Sequence, residues 1–254
     1  IIEPLGRAAE ASRAYMFENH LDEKGDLLAS QRSEWCHPSI RPEMDNSALQ
    51  DVSYLGSFSR WAQMMARGEI ICGLVADFPE SERVVLAAQG IVSLLVLPLL
   101  VNGRFAGFIG FDNCVEAKLW DPLEVDLLQA AASAIALFLE RQQAEEALEQ
   151  ERQQLRQIIT HAPVAMAMLD RELRYLAYSN QWLINYHLSN PDLIGRSHCE
   201  VIPDLKPEWR VMHYQALAGA VLCRPEEVWN RADGSTVYLR WAVQPWYAAE
   251  GQVG

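Results

Sequence analysis

Cys36 and His37 stand side by side in the stretch SEWCHPSI (33–40). A thiol next to an imidazole can bind a metal, act as an activated nucleophile, or attach a linear tetrapyrrole through sulfur. It can equally be a strand end, and Pro38 favours a turn directly after it. Cys36, Cys72 and Cys114 could converge into a redox site, which needs a thiolate stabilised by a nearby cation. His37 is the one adjacent candidate for that role, and a free Cys otherwise behaves as a small buried hydrophobe. His198 and His213 fall in segments that read as helical and could reach a pocket as axial ligands of haem. Cys199 beside His198 supplies two ligands where a zinc site wants four. Trp182, Trp229, Trp241 and Trp246 crowd the last third of the chain. Trp241 reads as core, and Trp229 stays open between core and cavity wall.

The composition narrows the classes of function. A chain of 254 residues, half of them hydrophobic, suits two domains with cores of their own. Asp and Glu outnumber Lys and Arg by 34 to 21, for a net charge of −13. That balance argues against a nucleic-acid surface, which needs clustered cations. Five scattered cysteines without a C-x-x-C fit a reducing, cytoplasmic setting. The apolar run IVSLLVLPLLV (91–101) is too short to span a bilayer, so no membrane segment is expected. No signal peptide opens the chain. Beginning at Ile1 and stopping at Gly254 without a closing element, the sequence reads as a piece of a longer protein.

The elements that must position these residues are legible as α+β material. RAYMFEN (13–19) and LLASQRSEW (27–35) read as strands joined by a turn at Gly25. SRWAQMMARGE (59–69) reads as a helix with Trp61, Met64, Met65 and Ala66 on one face, stopped at Gly68. Two very apolar runs flank Asn102–Gly103, which predicts a hairpin of central strands.

From Trp120 to Ile159 the period becomes helical. Asp121 suits an N-cap, with Pro122 at the first position and Glu124 completing a capping box. Steps of four and three visit Leu127, Ala131, Ala134, Phe138, Arg141, Glu145, Leu148, Arg152, Leu155 and Ile159. The first four are expected to pack on a sheet. Leu148, Leu155 and Ile159 are expected to form the seam of a parallel dimeric coiled coil, against the alternative of a solvated connector. Beyond it, 164–180 reads as strand–turn–strand, and 180–188 and 208–219 as helices. A final hairpin turns at Asp233–Gly234, with Val237, Leu239, Trp241 and Val243 on one face.

DFPESE (77–82), LLVLPLLVNGRFAGFIGFDNC (94–114) and the spacing Trp120, Glu124, Leu128, Ala131 resemble a GAF domain. YMFENH, SQRSEWC and the DN at 45–46 are similar to the GAF domains of bacterial, cyanobacterial-like multi-sensor histidine kinases. From about residue 152, APVAMAMLDRELRYLAYS, DLIGRSHCEVIPD, ALAGAV, RADGSTVYLRW and PWYAAEGQVG resemble a PAS domain. The resemblance implies a GAF domain over 1–142, a connecting helix over 120–160, and a PAS domain over 152–254 that stops short of its last strand.

It also implies an α+β fold in two domains, each a central antiparallel sheet flanked by helices and joined by a long helix. The implied role is a cytoplasmic sensory module of a signal-transduction histidine kinase, not itself an enzyme, homodimeric through the connecting helix. The kinase or cyclase module would lie downstream, and an unknown small molecule could be the signal. No H-E-x-R helix, ATP lid or G-G-D-E-F stands in this chain.

In bilin-binding GAF domains the attaching Cys lies shortly before the strand equivalent to LLVLPLL. Here that stretch, SERVVLAAQGIVS, holds no Cys, so Cys36–His37 has the residues and lacks the address. The N-K…F…D-E pattern of nucleotide-binding GAF domains and the flavin-binding Cys motif of PAS domains are absent too. No cofactor is expected, with bilin at Cys36–His37 and haem at His198 or His213 as the alternatives. A dimerising spacer without ligand, a methionine sulfoxide reductase-like redox protein and the input region of a diguanylate cyclase complete the set.

Overall fold

The computed structural model describes residues 2–203, 205–230, 234–248, 251 and 253. The chain divides into two compact units, Ile1–Glu146 and Ala147–Gly254. The first contains α1 (Ile2–Ala8), β1 (Arg13–Leu21), β2 (Leu27–Cys36), β3 (Val52–Ser53), α2 (Ser59–Ala66), β4 (Ile71–Leu74), α3 (Glu80–Ala88), β5 (Ser93–Val101) and β6 (Arg104–Asn113). The helix α4 (Pro122–Thr160) runs from the first unit into the second. The second unit continues with β7 (Ala167–Leu169), β8 (Tyr175–Tyr178), α5 (Asn180–Asn185), α6 (His198–Val201), α7 (Pro207–Leu217), β9 (Leu222–Asn230) and β10 (Thr236–Val243).

The first unit is built on a curled antiparallel sheet in the order β3-β2-β1-β6-β5-β4. The hairpin expected around Asn102–Gly103 is β5–β6, and its strand β6 pairs with β1 at the middle of the sheet. Both turn residues have positive φ (+52° and +72°), the backbone that a two-residue hairpin demands. Side chains of β5 alternate between two cores. Leu95, Leu97, Leu99 and Val101 join Ile109 and Phe111 under α1 and α4, whereas Leu94 and Val96 join Phe108 under α2 and α3. Covered on both faces, these strands could be almost continuously apolar. On the second face Glu82, 1% exposed, accepts from Arg60 Nε (2.8 Å), Arg60 Nη2 (2.6 Å) and the Trp61 indole (2.8 Å), which fastens α3 to α2.

Three expectations need correction. On α2, Ala66 is exposed, and Trp61 and Met65 are the buried pair. Asp121 caps α4 through the Leu123 N–H (2.8 Å), but Glu124 closes no capping box, because it pairs with Lys118 at 2.6 Å instead. The face of α4 that meets the sheet is Leu128, Ala132 and Ala136, with Val125, Ile135 and Leu139 at its edges. Leu127, Ala134 and Phe138 face outward. One position in sequence is a rotation of about 100° on a helix, enough to exchange a buried stripe for an exposed one. In length and composition α4 also meets the requirement for a membrane span, which the shorter run 91–101 does not; its Leu128 stripe is packed against protein.

The second unit contains two antiparallel hairpins, β7–β8 and β9–β10, with α5, α6 and α7 between them in sequence. Its core gathers Ile202, Leu205, Trp209 and Trp229. The alternation of Val237, Leu239, Trp241 and Val243 holds along β10. Asp233 of the expected turn lies outside the described residues, while Gly234 has the positive φ (+83°) that suits it.

The tightest approach in the first unit is that of β6 to β1. A methyl carbon added at Gly107 would stand 2.1 Å from the Phe17 carbonyl oxygen, where only backbone could yield. Gly107→Ala is therefore expected to cost more than ~3 kcal/mol in stability, measured by urea unfolding of the pure protein.

Candidate ligand sites

Each unit carries a cavity of its own. The one in the first unit measures about 90 Å³ and lies between the β1–β2–β6 face and α2, α3 and the segment after β2. Tyr15, Phe17, Tyr54, Trp61 and Phe108 give it an aromatic wall, and Ala48 and Leu49 line it too. At one end stand Arg13, Gln31 and Glu34. Arg13 is 2% exposed and bonds Asp112 Oδ2 through Nε (3.1 Å) and Nη2 (2.8 Å), while the Tyr15 hydroxyl donates to Oδ1 (2.9 Å). Burial opposes the guanidinium charge, and Asp112 more than offsets it. Burial likewise pushes the Asp112 carboxyl up against the pull of Arg13 and Tyr15. With both oxygens accepting hydrogen bonds, the geometry is that of a carboxylate.

Cys36 and His37 stand outside this cavity wall. Cys36 ends β2 opposite Arg13, and burial followed by the neighbouring Glu34 pushes its thiol up to about 12, away from the thiolate. His37 turns to the surface, where its Nδ1 meets the Ser39 hydroxyl at 2.7 Å. Burial raises the Cys114 thiol too, and the Asp112 charge adds to it against the pull of Arg13. Cys72 lies on β4, four strand steps from β2, on the order of 19 Å away. The three thiols therefore do not form one site.

The second cavity, about 1060 Å³, is lined among others by Trp182, His198, Trp209, His213, Arg224 and Trp241. The structure brings His198 and His213 together, with ring centroids 5.1 Å apart. Trp182 Nε1 donates to the Tyr175 hydroxyl (3.3 Å), which lies 2.7 Å from His198 Nδ1. A hydroxyl already accepting from Trp182 is free to donate to Nδ1, leaving the His198 proton on Nε2. His213 Nδ1 is buried without a hydrogen-bond partner among the described residues. Trp229, left open by the sequence, sits in the core against Trp209 (5.4 Å) and Tyr186 (5.9 Å), whereas Trp241, expected in the core, lines the cavity. The sequence reading also missed Glu227. It accepts from the Trp241 indole (2.6 Å), the Trp209 indole (3.1 Å) and Lys206 (3.1 Å). Burial works against its charge, but these donors prevail and hold the carboxyl below its usual range. An acid opposite aromatics at 209 and 241 offers no local periodicity from which to read this.

Burial, then the proximity of His213, lowers the His198 pKa to about 4, and burial lowers that of His213 as well. The unfolded chain takes up these protons below about pH 6.5. The stability that the neutral imidazoles contribute is thus complete above pH 6.5 and is lost as pH falls through about 4. For His198 the loss amounts to at most roughly 3 kcal/mol. His198→Gln should flatten the acid limb of a stability–pH curve between those values; an unchanged limb would contradict the buried neutral imidazole.

The model of the GAF domain family matches residues 1–139 and that of the PAS fold residues 159–254. The chain is 44% identical over 135 residues to the methanogenesis regulatory histidine kinase FilI of Methanothrix harundinacea. That match covers 53% of this chain, and the chain spans only 15% of that protein's length. Among solved structures, the PixJ GAF domain of Thermosynechococcus elongatus is similar at 17% identity and a TM-score of 0.48, covering 59% of this chain and 89% of that one. The third GAF domain of Slr1393 from Synechocystis is similar at 16% identity and a TM-score of 0.49, covering 58% and 93%. The two family-model matches agree with the curled six-stranded sheet and the second α+β unit: the chain belongs to the GAF domain family and carries a PAS fold after its long helix.

Proposed function

We propose that this chain is the cytoplasmic sensing and relay region of a signal-transduction histidine kinase. In this reading it is regulatory rather than catalytic, its kinase module lies outside these residues, and two copies pair along α4. The GAF domain ends and the PAS domain begins within that one helix. The observation that carries the reading is the outward stripe of α4. Leu127 (70% exposed), Phe138 (58%), Leu148 (48%) and Leu155 (53%) lie on a single four–three progression. Burying a leucine in a partner's seam is worth about 1.5–3 kcal/mol, so a lone helix leaves much unused. Arg141, Glu145 and Arg152 interrupt the stripe at seam positions, where polar groups fix register at some cost in affinity.

The same helix is the route for a signal. Phe108 lines the GAF cavity, and its strand neighbours Ile109 and Phe111 pack in the core shared with Leu128, Ala132 and Ala136. A ligand that shifts β6 would bias how two α4 helices meet, provided that it binds the two arrangements unequally. Packing of the Leu128 stripe against the sheet argues against α4 crossing a membrane.

The redox and bilin readings lose support from the raised Cys36 thiol. A linear tetrapyrrole is also many times larger than benzene, which itself needs a cavity of about 150 Å³. Haem remains a second reading for the PAS unit, on the single observation that His198 and His213 share the wall of its large cavity. Protein purified from haem-supplied cells should then show a visible band that shifts in His198→Ala or His213→Ala; a colourless protein would end that reading.

For the relay itself, Leu148→Asp combined with Leu155→Asp should convert a dimer to a monomer by light scattering on a sizing column. An unchanged mass would sink the paired-helix proposal.

A further inference from the structure

A one-residue bulge in β2 places two polar side chains where strand alternation allows one. Gln31 lies opposite Phe17 and Glu34 opposite Tyr15, with Arg32 left over between them. Residues three apart in an unbroken strand face opposite sides, and the bulge turns both of these toward the GAF cavity. Gln31 is 2% exposed, and its Oε1 meets no hydrogen-bond partner among the described residues. A buried carbonyl left unmatched is costly unless something else supplies a donor.

The neighbouring groups have little to give it. Arg13 directs Nε and Nη2 to Asp112, and the Tyr15 hydroxyl does the same. The Tyr54 hydroxyl goes to Asn19 and the Trp61 indole to Glu82, so these rings offer the cavity carbon. Glu34 accepts the backbone N–H groups of Glu43 (2.9 Å) and Met44 (2.9 Å), which ties down the segment after β2. The polar end thus sets two carboxylates, Asp112 and Glu34, against one guanidinium. An anion would meet excess negative charge there. A cation carrying an N–H would meet a free acceptor, a carboxylate and aromatic faces together.

Size narrows the choice. A cavity of about 150 Å³ admits benzene, so about 90 Å³ suits roughly four heavy atoms. We propose that the GAF cavity receives a short alkylammonium ion, its N–H donating to Gln31 Oε1 beside Glu34 and its alkyl part lying among Phe17, Trp61, Leu86 and Phe108. This assignment rests on the reading of the GAF unit as a ligand sensor. Because Glu34 also fastens the Glu43–Met44 segment, a cation beside it changes the charge that holds that segment.

The test is a calorimetric titration of the whole chain with propylammonium, propanol and acetate, which match in heavy atoms and differ in charge. Propylammonium is expected to bind one to one, with propanol and acetate weaker by roughly tenfold or more. Gln31→Leu should weaken propylammonium by at least about tenfold. Ala48→Phe, which adds a ring at a lining position of the cavity, should abolish binding, with folding of both variants checked by circular dichroism. Acetate binding as well as the cation would mean that the Gln31 amide turns its NH₂ inward, and would overturn the ammonium assignment while leaving the sensor reading in place. Equal binding of propanol would do the same. Binding by none of the three would reduce the cavity to a water site, and propylammonium binding untouched by both variants would place the ion elsewhere. The sensor reading stands or falls separately, on the pairing of α4.

Discussion

The buried ion pair between Arg13 and Asp112 is the constraint around which the first unit is arranged. These residues face each other in the β1–β6 register, ninety-nine positions apart in sequence, with side chains 3% and 0% exposed. Leaving either charge alone in that interior would cost about 3–5 kcal/mol, so the two central strands must meet in this register or not at all. The pair also fixes what lies around it. Asp112 anchors the Tyr15 hydroxyl, and Glu34 stands 3.9 Å from Arg13. The polar end of the GAF cavity is therefore a by-product of the interaction that aligns the sheet.

From that sheet the organisation extends along α4. The helix has two apolar stripes about 100° apart. One, through Leu128, Ala132 and Ala136, is used by the GAF core. The other is exposed at Leu127, Phe138, Leu148 and Leu155. In the proposed reading, a helix committed on one side to the GAF core and exposed on the other would carry a change of packing from that core to a partner helix. Small residues on the committed side bring the helix close to the strands, so displacement of a strand is felt by the helix.

The PAS unit solves a different problem, that of holding a large cavity with a small core. Glu227 gathers the indoles of Trp209 and Trp241 and the Lys206 ammonium, and Tyr175 links Trp182 to His198. These polar handles let bulky aromatic rings serve as walls without leaving an N–H unmatched. Trp229 alone among the four weighed tryptophans has become pure core, at 3% exposure.

How much of this could be read from the chain depends on the range of the interaction. Hairpins at Gly25 and Asn102–Gly103, the cap at Asp121 and the length of α4 are local, set by backbone preferences and by periods of two and 3.6 that neighbouring residues display. They were legible, as was the GAF–PAS order carried by contiguous motifs. The meeting of Arg13 with Asp112, of His198 with His213, and of Glu227 with two indoles was not, because each joins elements whose pairing only the assembled sheet or core selects. The same holds for the stripe of α4 that is buried, since the helix had two adequate faces and the sheet chose one. Strand alternation would have set Gln31 and Glu34 on opposite sides; the bulge at Arg32, a property of how β2 pairs with β1, put them on the same one. Sequence alone thus determined the elements and their order, while the chemistry of both cavities was decided by tertiary structure, because it depends on side chains that only long-range packing brings within hydrogen-bonding distance.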